Sequence, residues 1–202
     1  MRFRRKPKSV IQKNTNNEVY AFIDSQNLNL GVQRAGWKMD WRKLRQFLAN
    51  KYGVTKAYMF IGYISDNEDM YNQLHDAGYL IVLKPTIESN IDDSKQAKSQ
   101  VKGNIDAELV LYAMKELPNY AKAIIVSGDG DFYCLAEYLE SKKRLLHIMT
   151  PNWKYSTLLK PYEDFIIRLD QKRKELEHID FKRKKTALKH SSKSVSKNTK
   201  TD

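Results

Sequence analysis

The sequence predicts an α/β protein: a three-layer α/β/α sandwich around a mainly parallel, five-stranded sheet. Three observations carry that expectation. Five short apolar runs are spread along the chain, and none alternates cleanly between apolar and polar residues. That is the pattern of strands covered on both faces. The intervals between them hold segments with apolar residues at helical spacing. Strand and helix alternate with few residues between them, as in open sheets flanked by helices on both sides.

The strands are expected at VYAFID (19–24), VTKAYMFIGY (54–63), YLIVLKP (79–85), AKAIIVSG (121–128) and RLLHIMT (144–150). DWRKLRQFLANKYG puts Trp41, Leu44, Phe47 and Leu48 on one helix face, with Asp40 as N-cap and Gly53 as the stop. SDNEDMYNQLHDAG shows the capping-box spacing Ser65–Glu68 and ends at Gly78. IDAELVLYAMKEL aligns Ile105, Leu109, Ala113 and Leu117 before Pro118 ends the helix. DFYCLAEYLESKK turns Phe132, Leu135, Ala136 and Leu139 inward and is expected to bury Cys134 as a small hydrophobe. Residues 86–104 are polar and read as a long mobile connection. Beyond Asp170 a first part could extend a terminal helix, and the last dozen residues have the composition of a disordered tail.

At 202 residues with 41% hydrophobic content the chain suffices for one buried core. No apolar run is long enough to span a membrane, and no signal-type segment follows the basic first ten residues, so a cytoplasmic, unprocessed protein is expected. A single cysteine excludes an internal disulfide and a thiolate-rich metal site. The net charge of +12 lies at the two ends. Residues 1–13 contribute +6 and residues 171–202 contribute +7, whereas 14–170 sum to −1. The organisation expected is therefore a basic arm (1–17), one catalytic-size domain (18–170) and a basic extension (171–202). Basic arms on a near-neutral body suit a polyanion, since each neutralised phosphate releases counterions, and equally suit a solubilising role.

In open α/β sheets ligands bind at the carboxyl ends of strands, where the strand order reverses. Asp24 closes the first expected strand, and Asp129 and Asp131 follow the fourth in AIIVSGDGDF. Asp106 opens the helix that runs back over the sheet into that fourth strand. Each acid separately has a local explanation as a turn, cap or helix-dipole residue. Together they converge on one edge, where clustered carboxylates repel unless a cation neutralises them. Hard Mg²⁺ or Mn²⁺ takes such oxygen ligands. The four histidines (His75, His147, His178 and His190) show no zinc-type spacing.

The segments YAFIDSQNL, VKGNIDAELVLYAM and IIVSGDGDFYCLAEYL, in that order, resemble the NYN domain of the PIN-like nuclease superfamily, in particular its LabA-like (DUF88) branch. The resemblance covers roughly residues 18–169 and includes YSTLLKPYEDFIIRL, which is similar to the family's final helix. It implies a PIN-like α/β/α fold and a metal-dependent ribonuclease, with Mg²⁺ or Mn²⁺ held by Asp24, Asp106, Asp129 and Asp131. It also places the family's amide on Asn27, a serine on Ser127 and the basic residue of its central motif on Lys102. Asn27 would orient the phosphate or the attacking water, or cap the turn after the first strand. Lys102 would contact phosphate, and Ser127 would contact substrate, hydrogen-bond the Asp129 carboxylate or end its strand. Two departures stand out: Gln26 where small residues are commoner, and KGNID with one residue more than the frequent KGVD form.

Glu108 points about 200° around the helix from Asp106 and is left out of the metal set. Trp37, Trp41 and Trp153 are candidates for stacking on bases, with Trp41 fitting the core stripe better. The expected partner is RNA, single-stranded by preference and cut endonucleolytically. A homodimer remains as open as a monomer. The rival from another class is a non-catalytic RNA-binding module that uses the basic arms.

Overall fold

Six parallel strands, one more than expected, form the sheet of the computed structural model, which describes residues 17–62, 67–84 and 105–179. The basic arm up to residue 16, Ser65, the connection 85–104 with its Lys102, and the tail from residue 180 lie outside the described residues.

The elements follow in the order β1 (Val19–Asp24), α1 (Ser25–Arg34), α2 (Trp41–Tyr52), β2 (Val54–Gly62), α3 (Glu68–Asp76), β3 (Leu80–Lys84), α4 (Asp106–Glu116), β4 (Lys122–Val126), α5 (Tyr133–Ser141), β5 (Leu145–Thr150), β6 (Ile166–Arg168) and α6 (Arg173–Leu176). The sheet order is β3-β2-β1-β4-β5-β6. The chain therefore builds outward from β1 in one direction, returns to the centre at β4, and builds outward in the other. The order reverses between β1 and β4, which opens a crevice at their carboxyl ends.

Successive side chains on a strand point to opposite faces, and both faces here are covered. Ala21, Ile23, Met59, Ile124 and Val126 pack toward α1, α2 and α3, against Leu28, Leu44, Leu48 and Leu74. Tyr20, Phe22, Phe60, Ala123 and Ile125 pack toward α4 and α5, against Leu109, Ala113, Leu135 and Leu139. Two apolar clusters on one sheet explain why no strand reads as alternating. At α2, Asp40 Oδ1 accepts from the Lys43 N–H at 3.1 Å, and Gly53 ends the helix at φ 67°.

Four features differ from the sequence expectations. Helix α1 follows β1 without a loop. Its only buried apolar side chains are Leu28 and Val32, with Gly31 between them, too few to signal a helix. The segment compared with a final helix is instead a 3-10 run, Thr157–Phe165, followed by strand β6. Pro161 interrupts α-helical hydrogen bonding there, and the β-branched Ile166 and Ile167 pair with Ile148 and Met149 of β5. Cys134 is exposed rather than buried, because α5 directs Leu135, Ala136 and Leu139 inward and turns position 134 to solvent.

The fourth feature lies just beyond residue 170, where the family-sized domain was expected to end. Residues 171–178 do not leave the body at Asp170. Leu176 is fully buried and its carbonyl accepts from the Asp40 N–H at 2.8 Å. The Lys43 ammonium donates to the Glu177 carbonyl at 2.7 Å, and Met39 bridges to Glu177. The start of the basic extension is thus part of the folded domain. Among the described residues no helix is long and apolar enough to cross a membrane.

Candidate active site

Asp24 ends β1 and is also the N-cap of α1, so the same residue closes a strand and starts a helix. Its Oδ1 accepts from the Asn27 N–H at 3.0 Å, and its Oδ2 accepts from the Ser127 hydroxyl at 3.2 Å. At 6% exposure its carboxyl is raised above the ordinary range. Burial is the main cause and the Asp129 charge adds to it, while these two hydrogen bonds pull the other way.

Ser127, fully buried just after β4, receives the Asp129 N–H on its hydroxyl oxygen at 3.1 Å while donating to Asp24. It is a strut between the two acidic loops and not a surface for substrate. Ser127→Ala removes a donor and an acceptor from a dry site, which costs about 1–3 kcal/mol of stability. Chemical denaturation should show that loss with an unchanged m-value. An unaltered midpoint would mean that the strut is dispensable.

Asn27 spans the crevice. Its Oδ1 accepts from the Gly128 N–H at 2.9 Å, tying the first turn of α1 to the loop after β4. Its other amide atom, Nδ2, has no hydrogen-bond partner among the described residues. The capping and orienting readings of Asn27 are therefore compatible, since one side-chain atom holds the loop and the other is left over.

Asp129 caps the 3-10 turn Gly130–Phe132, accepting from the Asp131 N–H at 3.1 Å. Gly130 allows that turn to lie against the next loop, since a Cβ there would meet Ser156 Oγ at 2.3 Å. Asp131 is exposed and Asp129 half-buried. Asp106 is the first residue of α4 and half-buried. Its carboxyl is pushed up to about 6, first by burial and then by the charges of Asp24, Asp129, Asp131 and Glu108. All four predicted acids therefore share one electrostatic neighbourhood. Glu108 contributes to that field but is held aside by Lys84, whose ammonium lies 2.9 Å from its carboxylate.

The cluster consists of oxygen donors only. As they stand, no three carboxylate, histidine or cysteine groups among the described residues are close enough together to hold a metal ion. The acids thus form a field of mutually repelling charges rather than a closed cage. A hard divalent cation fits the donor chemistry and would relieve the repulsion once the side chains turn toward it.

Sequence reasoning did not find the wall beside the cluster. The loop Pro151–Ser156 after β5 packs against both α1 and the Gly128 turn: the Ser156 N–H donates to the Gly128 carbonyl at 3.0 Å. Gly31 permits this approach, because a Cβ there would lie 2.3 Å from Pro151 Cγ. The signal available was positional, as TPNWKYS follows the strand next to β4 on the same carboxyl edge.

A doubly wound parallel sheet with an acidic crevice at its switch point, and with Asp-Ser-Gln-Asn instead of a glycine-rich turn after β1, defines an acid-cleft α/β domain distinct from dinucleotide-binding folds. The chain belongs to the NYN domain family, whose model matches residues 18–170. It is 27% identical over 164 residues to the low amplitude and bright protein LabA of Synechococcus elongatus, covering 79% of this chain and 87% of that protein. A crystal structure of a protein of unknown function from Vibrio parahaemolyticus shares the fold, with TM-score 0.63 and 21% identity over 83% of this chain and 100% of that one. Family membership supports a nuclease or RNA-related role.

Proposed function

We propose that this protein is a metal-dependent ribonuclease that hydrolyses phosphodiester bonds in single-stranded RNA, endonucleolytically. The observation that carries the proposal is the electrostatic convergence of Asp24, Asp106, Asp129 and Asp131 on the β1/β4 crevice, which leaves Asp106 raised to about 6. Asp24, Asp106 and Asp129 are the residues that would hold Mg²⁺ or Mn²⁺, with Asp131 completing the set directly or through water. The ion would supply Lewis-acid polarisation of a phosphoryl oxygen and a more acidic water for in-line attack.

The chain's own residues do the rest. Asp24 is kept in one orientation by Asn27 and Ser127, so its carboxylate cannot swing away when substrate charge enters. Asn27 Nδ2 is an uncharged donor at the lip of the crevice, suited to a phosphate oxygen or the attacking water. A strongly acidic cleft excludes a phosphate backbone by itself, which makes activity conditional on a bridging cation.

Labelled RNA incubated with the wild-type protein tests the reading. Cleavage in Mn²⁺ and none in EDTA are expected. Absence of cleavage on varied RNA would transfer the role to RNA binding alone. The positive charge at the two ends of the chain, +6 over residues 1–13 and +7 over residues 171–202, favours that second reading.

The basic ends are proposed to raise RNA affinity without selecting sequence, Lys102 and its polar neighbours adding phosphate contacts. Because residues 171–178 are part of the body, the informative truncation removes 1–13 and 180–202. That protein should stay folded, bind RNA more weakly, and show a shallower salt dependence in fluorescence anisotropy. Truncation at 171 should lower the melting temperature as well, because it removes Leu176 from the core. Equal salt slopes for full-length and truncated proteins would exclude the ends from binding.

A further inference from the structure

Beside the acid cluster lies an open cavity of about 550 Å³, within the range of small-ligand sites. It shares Asn27 and Gly128 with the crevice, so an extended ligand can occupy both. Its outer wall carries Trp153, 62% exposed, with the Lys154 ammonium 5.0 Å from the ring centroid. Arg34 stands on the α1 side, exposed and in no hydrogen bond or ion pair among the described residues.

An exposed tryptophan on a floppy loop would mean little, but this loop is locked. Asn152, only 8% exposed, donates from Nδ2 to the Gly31 carbonyl at 2.9 Å and accepts the Lys154 N–H on Oδ1 at 2.7 Å. The Thr150 hydroxyl, fully buried, donates to the Asn152 carbonyl at 3.2 Å. Pro151 is wedged against Gly31. Buried polar bonds on both sides of position 153 thus hold a large apolar ring out in solvent, where burial alone gives it no reason to be. The inner wall includes Trp37, 4% exposed, whose buried Nε1–H has no acceptor among the described residues.

We propose that this cavity receives one nucleotide flanking the reacting bond of single-stranded RNA, its base stacked on Trp153 and its phosphate held by Arg34 and Lys154. The inference rests on the RNA reading of the neighbouring site and deepens it by naming where the strand runs. Stacking is tolerant of base identity because every base has a π-face, so the subsite grips a strand without selecting its sequence. It also excludes a rigid duplex, whose bases are not free to leave their stack.

The test is binding by the full-length protein in EDTA, measured by anisotropy on a labelled oligouridylate and on the same strand made abasic. Trp153→Ala should weaken binding to the oligouridylate on the order of tenfold and leave the abasic strand unaffected. Trp153→Phe should restore most of the affinity. Arg34→Ala should weaken both strands and lower the salt slope by about one. Wild-type affinity in Trp153→Ala, or an equal loss on both strands, would overturn the proposal while leaving the nuclease reading intact. A wild-type protein that binds neither strand would overturn the proposal, whereas the nuclease reading stands or falls on cleavage in Mn²⁺.

Discussion

Asp129→Asn is expected to reduce RNA cleavage on the order of a thousandfold, about 4 kcal/mol of transition-state stabilisation at 1.4 kcal/mol per decade. The substitution is nearly silent for the fold. Asparagine keeps the oxygen that accepts from the Asp131 N–H and remains a good N-cap for the turn that follows. What it removes is one negative charge from the acidic crevice. RNA affinity in EDTA should therefore be unchanged or slightly better, since the cleft repels phosphate less. Melting temperatures without metal should stay at or slightly above wild type, since one of the charges that repel Asp24 and Asp106 is gone. Wild-type and variant proteins cleaving RNA at the same rate would mean that the reaction takes place elsewhere or comes from another enzyme.

The second large effect is a coupling of pH, metal and stability through Asp106. Its carboxyl is raised from 3.8 to about 6 in the folded protein. The folded state therefore binds more protons than the unfolded state between those values. In metal-free protein this group's contribution is greatest below about pH 4 and is lost as pH rises through 6; Asp24 shifts in the same direction. A shift of this size corresponds to about 3 kcal/mol at face value, reduced to about 1 kcal/mol by solvent screening at a half-buried group.

Asp106→Asn cannot suffer that loss. Near pH 7 and without metal it should melt higher than wild type, and the difference should shrink toward pH 4. Mn²⁺ should reverse the ranking at neutral pH, because it stabilises wild type by binding the ionised cluster and finds one ligand fewer in the variant. Thermal melts of both proteins across this pH range, with and without Mn²⁺, read the effect without any assay of activity. A wild type indifferent to Mn²⁺ at neutral pH would argue against a metal at this cluster. An Asn variant less stable than wild type in EDTA would argue against the electrostatic account.

Much of this protein can be read from its residues in order. Continuous apolar runs such as AFI and AIIV announce strands covered on both faces, because neither side of such a segment tolerates water. Asp40 and Gly53 mark the ends of α2 because caps act within a turn of their own position. The acids at the ends of β1 and β4 could be assigned to one edge before any coordinates, since parallel strands put all their carboxyl ends on the same side. Asp106 followed from the same geometry, its helix returning across the sheet.

Tertiary structure alone decided the rest, in each case because the partner is distant in sequence. The Ser127 hydroxyl reaches Asp24, 103 residues away, and only that contact turns a candidate substrate contact into a buried strut. Cys134 lies on the outer face because the register of α5 against the sheet was set by Leu135 and Leu139. Strand β6 is three residues long and becomes a strand only by pairing with β5, a sixth position at the sheet edge that local propensity does not reserve. Residues 173–178 carry the composition of a solvated tail, yet backbone bonds to Lys38 and Asp40 bind them to the body. Trp153 and Arg34 share one cavity because Pro151 and Asn152 seat the β5 loop on Gly31 of α1. Periodicity and capping act over a few residues and are legible locally, whereas loop-to-loop contacts require the closed fold.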